Sequence, residues 1–355
     1  ASRKDWLDRS GLSVPETIDE LYTMLKTFQD MDMNGNGLKD ECFVSMGFEK
    51  TSQCLDNFAV AYGLIAGTDL YVKDGQVKYG AYDPEFKDLV AEMAKWYSEG
   101  LLDPEFSTQE SKQFSSKMVN DVGGAYYGSL SGNMGTFLAA RSGDPEYDLV
   151  AAPMPKAPDG NVYVAVNAYG KMVPHGASLC STNENIVETV KWLDWHYSEE
   201  ATTLYNWGIE GQSYEVVDGK KQFTDLILNN PDGLSKDEAA ARYAGGVISQ
   251  MPIVEDPEVF LALKSLPQQK AASQLWCQAD TSWILPPLYF DSETTTENAN
   301  IMSEIKTYVA EQFNKYVMGI ESMDTFDQFQ QQLKDMGIET VLANYQASYD
   351  AVYKN

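Results

Sequence analysis

The sequence predicts an α/β protein, rich in helix and divided into two lobes. Three observations lead there. Apolar residues recur three and four apart through most of the chain, behind recognisable helix caps. Strand-like runs are short and lie among these helices. The chain has 355 residues, 43% of them hydrophobic, which is more than one domain of ordinary size holds.

Thr17 and Glu20 form a capping-box pattern ahead of Ile18, Leu21, Leu25 and Phe28, which share one helix face. Asp83-Pro84 reads as an N-cap with proline at the first helical position. Phe86, Leu89, Val90, Met93, Trp96 and Tyr97 then trace a stripe that Gly100 stops. Asn183 opens a helix through Ile186, Val187, Val190, Leu193 and Tyr197, and Ser198 caps a shorter one ending at Gly208. Three more helices are expected at about 298–318, 324–336 and 339–352. Strands are expected at 122–127, 147–152 and 162–167. The polar, turn-rich stretches 153–161 and 229–238 are candidate connections between lobes.

Composition narrows the function. Against 53 acidic residues stand 26 Lys and Arg, a formal charge of −27, so nucleic acids and anionic membrane surfaces are disfavoured partners. No apolar run approaches the ~18 residues of a membrane span. The four cysteines, Cys42, Cys54, Cys180 and Cys277, show no CxxC pair and no metal-ligand spacing, and isolated buried thiols are the expectation. Any histidine chemistry must use His175, in a Pro-His-Gly turn, or His196, whose apolar helical setting suits a hydrogen-bonded packing role.

The sharpest local signal is the segment 32–41. A hard cation such as calcium wants several oxygens on a loop that curls round one point. Asp32, Asn34 and Asn36 occupy alternate positions, Gly37 makes the turn, Leu38 offers its carbonyl, and Asp40 and Glu41 complete the shell. Position 12 of a standard EF-hand is Phe43 here, so the bidentate glutamate is missing and a structural calcium clamp is expected rather than a switch.

Catalytic signatures are largely absent. There is no GxxxxGK, no strand-linked GxGxxG and no HExxH, and Leu130 stands where a nucleophile elbow would carry its serine. A glycosidase-type carboxylate pair stays open on composition. Aromatic residues beside turns supply the positive evidence. Tyr126 and Tyr127 lie among Gly123, Gly124 and Gly128. Trp207 precedes Gly208-Ile209-Glu210-Gly211, and Trp276 and Trp283 flank a polar stretch. Flat rings stack on sugar faces while acids and amides meet hydroxyls.

The run Arg3-Lys4-Asp5-Trp6-Leu7-Asp8, with Gly11-Leu12, Val14-Pro15, Thr17 and the 32–41 loop, resembles family 1 extracellular solute-binding proteins. These are the substrate-capturing lipoproteins of ABC importers. Gly208-Ile209-Glu210-Gly211 with Tyr214, Ile305-Lys306 with Tyr308, and Tyr345-Gln346 with Tyr349-Asp350 extend the likeness along the chain. The large Firmicute type, related to alginate-binding proteins whose loop holds calcium, matches best.

The resemblance implies a periplasmic-binding-protein type II-like fold of two α/β lobes. Residues 1–150 and 236–355 would then build the C-terminal lobe, and 151–235 would belong to an incomplete N-terminal lobe. Members of this type normally carry a signal, a lipid-anchored cysteine and a further segment before the Arg-Lys-Asp-Trp motif, so an absent N-terminal segment is expected. Residues 151–235 would then expose apolar surface that a dimer could cover.

By the outline of maltose-binding proteins, Tyr126, Tyr127, Trp276 and Trp283 face the sugar cleft, with Trp207 and Glu210 as further ligand residues. The expected function is non-enzymatic capture of an oligosaccharide by lobe closure, for delivery to ABC permease subunits at the cell surface. A secreted hydrolase or lyase, or a calcium-stabilised adhesion module, is the alternative.

Overall fold

A computed structural model of the chain describes residues 1–45, 52–65, 70–164, 177–232, 234, 236–245, 253–264 and 266–353. The chain divides into two compact units, one formed by residues 1–168 and 271–355, the other by 169–270. The second unit thus begins and ends later than the 151–235 segment expected from resemblance.

The first unit is built on a four-stranded sheet. Its strands are β1 (Ser2–Arg3), β2 (Cys42–Val44), β5 (Gly123–Tyr126) and β6 (Leu149–Val150), in the order β2-β5-β1-β6. The β2–β5 pair is parallel, while β1 runs antiparallel to β5 and β6. Between them in sequence lies a hairpin, β3 (Tyr71–Lys73) with β4 (Gln76–Lys78).

Helices cover the sheet because their apolar faces match it. Ile18–Met31 starts on the Thr17–Glu20 capping box and buries Leu21, Met24, Leu25 and Phe28. Phe86–Ser98 buries Phe86, Leu89, Val90, Met93 and Trp96, and Gly100 follows in the left-handed region (φ 72°). This helix begins at Phe86 rather than at Pro84, since residues 80–82 make a 3-10 turn first. The long helix Ser292–Val317, capped by Asp291, brings Met302, Ile305, Val309 and Phe313 into the same core, joined by Phe326, Phe329 and Leu333. Gly124 is needed where it stands, because a Cβ there would lie 2.8 Å from the Phe28 ring.

The second unit has its own core of Trp207, Tyr214, Phe223, Ile227, Ala239, Ala240, Val259 and Leu263. A second hairpin, β7 (Tyr214–Val217) with β8 (Lys220–Phe223), lies beside it in sequence order after helix Glu199–Asn206. Helix Ile186–Trp195 buries none of its side chains, and Ile186, Val187, Val190 and Trp192 are exposed.

Several expectations need correction. The 122–127 strand forms as β5 and the 147–152 strand shortens to two residues. Tyr163 of the expected 162–167 strand makes only an isolated bridge to Asp280, and residues 165–167 lie outside the described residues, as does His175. Cys42 is a buried free thiol, but Cys180 and Cys277 are exposed. His196 is buried as expected, with Nδ1 2.7 Å from the Trp192 carbonyl and Nε2 3.1 Å from the Tyr205 hydroxyl. Among the described residues no helix is long and apolar enough to cross a membrane.

Candidate functional site

The 32–41 loop leaves helix Ile18–Met31 through Asp32, which adopts a left-handed backbone (φ 49°). Gly35 and Gly37 also sit at positive φ, where a side chain would be strained. The curl that results is held from inside. Asp32 accepts the backbone N–H of Asn36 and of Gly37, each at 3.0 Å. Asn34 accepts the N–H of Asn36 at 3.0 Å and Asn36 that of Leu38 at 2.7 Å. The amides of Asn34 and Asn36 each donate to one oxygen of Asp40, both at 2.9 Å. Glu41 is fully buried: its Oε1 accepts the Asn34 N–H at 3.1 Å, while among the described residues Oε2 has no hydrogen-bond partner. Burial raises the Glu41 carboxyl above its ordinary range, against the lowering effect of that N–H bond.

The expected ligand set of Asp32, Asn34, Asn36, Leu38, Asp40 and Glu41 is therefore brought into one loop, but its carboxylates do not converge. Among the described residues no three His, Cys, Asp or Glu side chains stand together as a metal cluster. The donors nonetheless fit a hard cation, being oxygens throughout, and among the described residues the buried orphan oxygen of Glu41 has no positive partner.

Among the expected stacking aromatics, three are closed. Tyr126 is buried, its ring 6.0 Å from that of Phe114 and 5.3 Å from that of Phe137. It sits at the end of β5 on the side that helix Ser111–Val119 covers, so no ring face is open to a solute. Trp283 stacks on Tyr163 at 3.9 Å with Lys73 Nζ 4.6 Å from its centroid. Trp207 is buried on Phe223 and Tyr214 and donates its Nε1–H to Asp256 at 2.7 Å. Periodicity and turn proximity could not separate these from open aromatics, because both kinds flank turns.

The others keep some exposure. Tyr127 is half-buried, with its hydroxyl accepting from Asn57 Nδ2 at 3.0 Å. Trp276 is half-buried at the end of helix Pro267–Trp276, donating Nε1–H to the Ala152 carbonyl at 2.8 Å. Glu210, in the second unit, is exposed. Sequence reasoning missed the polar groups at the carboxyl end of the parallel pair. Ser45 and Gln109 are both buried; Gln109 donates to the Ser45 carbonyl at 2.8 Å, and among the described residues Ser45 Oγ and Gln109 Oε1 have no hydrogen-bond partner. A serine directly after a short apolar strand was the available signal. Ligands of open α/β sheets gather at such strand ends.

The sequence pattern of bacterial extracellular solute-binding proteins matches residues 1–203. The chain belongs to that family. Lipoprotein LipO of Bacillus subtilis is 28% identical to this family member over 73% of the chain and 52% of its own length. The fructooligosaccharide ABC transporter substrate-binding protein FusA of Streptococcus pneumoniae is 24% identical over 99% of the chain and 65% of its own length. The family member thus spans about half to two thirds of these curated relatives. Among solved structures, alginate-binding protein AlgQ2 without calcium ion superposes with a TM-score of 0.74. It is 25% identical and covers 98% of this chain, which in turn covers 71% of that one. The two-lobe binding-protein fold expected from the sequence is shown by this likeness.

Proposed function

We propose that this family member captures an oligosaccharide outside the cytoplasm, by closure of two lobes, and hands it unchanged to an ABC permease. The observation that carries the reading is the alignment of nearly the whole chain with a fructooligosaccharide-binding relative. A polygalacturonan/rhamnogalacturonan-binding protein, YtcQ of Bacillus subtilis, aligns over 98% of the chain at 21% identity and supports the same ligand class. Tyr127, Trp276 and Glu210, which keep some exposure, are the ligand residues proposed from the earlier set. A lipid anchor on the whole protein accords with the relative named as a lipoprotein.

Calorimetry with kestose, stachyose and an oligogalacturonide tests the reading, together with an assay for new reducing ends. Heat of binding to at least one glycan with no new ends is expected. Release of new ends would move the chain to the carboxylate-pair hydrolases, and silence across the panel would overturn sugar capture.

Calcium is proposed as the structural ion of the 32–41 loop. Asp32, Asn34, Asn36, the Leu38 carbonyl, Asp40 and Glu41 would hold it, and it would supply the positive charge that the buried Glu41 carboxylate lacks. Chelator is expected to lower the melting temperature and calcium to restore it, by mass action. A wild-type protein that melts at the same temperature in both would dismiss the ion.

A further inference from the structure

We propose that Asn34 is a positioning residue that fastens the 32–41 loop to the start of β5, and so holds the strand that leads to Tyr127. Its amide does two things at once. One N–H goes to Asp40 within the loop, and Nδ2 also donates to the backbone carbonyl of Asp121 at 3.0 Å. A side-chain amide has two hydrogens and a separate oxygen, so this grip leaves the oxygen available to the loop.

What Asn34 grips is a residue in need of holding. Asp121 adopts the left-handed region (φ 62°), uncommon for a residue other than glycine, and it directly precedes Val122 and β5. Its carboxylate is clamped by Arg3 at 2.5 Å and Arg141 at 2.8 Å. Arg3 is itself buried, lying 4.3 Å from the ring centroids of Trp6 and Tyr147. The arginines thus fix the side chain of Asp121, and Asn34 fixes its backbone.

The far end of the loop meets the same place. Glu41 runs straight into β2, where the Cys42 N–H donates to the Val122 carbonyl at 3.1 Å. Loop, turn and strand start are therefore closed into one ring through residues 34, 121, 122 and 42. Order in the loop is passed along β5 and the residue after it, where the Tyr126 N–H donates to the Ala1 carbonyl and the Tyr127 N–H to that of Val44. Asn36 provides the contrast. It makes the same kind of bond to Asp40, is exposed, and has no bond to Asp121.

Amide hydrogen exchange of the peptide covering 122–127 tests this, with the full chain in chelator and without sugar. That Tyr127 meets a solute rests on the proposed function; the exchange result does not, and neither does it need calcium. Asn34→Ala is expected to speed exchange there about fivefold, as for one lost hydrogen bond, while Asn36→Ala stays within about twofold of wild type. Equal effects of the two variants, or none from Asn34→Ala, would overturn the proposal. Should Asn34→Ala fail to fold, Asn34→Asp keeps the size and removes the donor, with the same expected and overturning outcomes. Unchanged exchange across residues 71–78 reports that a variant is folded.

Discussion

Asp103 is fully buried and Lys117 is its counter-ion, with Nζ 2.6 and 2.8 Å from the two carboxylate oxygens and 2.7 Å from Glu105. Lys117→Met strands that charge and is expected to cost about 3 kcal/mol in a denaturant titration; a loss below about 1 kcal/mol would refute the account. Tyr147 carries a pH dependence. Burial pushes its phenol up to about 12, against the downward pull of the Arg3 and Arg141 guanidiniums. An unfolded phenol ionises near 10, so the folded state keeps its proton longer. Stability from this group is complete below about pH 10 and lost between 10 and 12. Tyr147→Phe is expected to flatten the stability curve over that interval; an unaltered slope would show that the phenol ionises at the same pH folded and unfolded. Single residues were legible in the sequence where their neighbours are local. Thr17 and Glu20 find each other three positions apart. The burial of Tyr126 depends on Phe114 and Phe137, which no local pattern ties to it.

The two hairpins show where element-scale reading fell short although a signal was present. Both turn on Asp-Gly, at Asp74-Gly75 and Asp218-Gly219, and all four residues have φ between 50° and 77°. That dipeptide is the favoured centre of a tight hairpin turn, yet strands of three or four residues leave little alternation around it to notice. Helices fared better, because periodicity accumulates over length. Gly219 has nothing near the place a Cβ would occupy, so Gly219→Ala tests backbone cost alone. A loss of about 1 kcal/mol in the second unit is expected from the left-handed conformation. No change in its denaturant midpoint would mean that the turn adopts another form. The edge of the β3–β4 hairpin is finished by the last helix: Gln346 accepts the Val77 N–H at 2.7 Å and donates to the Gly75 carbonyl at 3.1 Å.

At the scale of the whole molecule, two lobes followed from length and resemblance, whereas the crossing points near 168 and 270 did not. Which segments share a core is decided by contacts far apart in sequence, and Phe86 beside Phe313 and Phe326 is a case in point. The same is true of the candidate site. The loop could be read as a string, but its tie to Asp121 could not. The first unit is interrupted by the second, and part of its aromatic core, Trp283, Phe313, Tyr316, Phe326 and Phe329, comes from residues 271–355. Phe86 therefore meets Phe313, Phe326 and Phe329 only across the whole length of the intervening unit. Burial of that ring thus waits on the carboxyl-terminal segment.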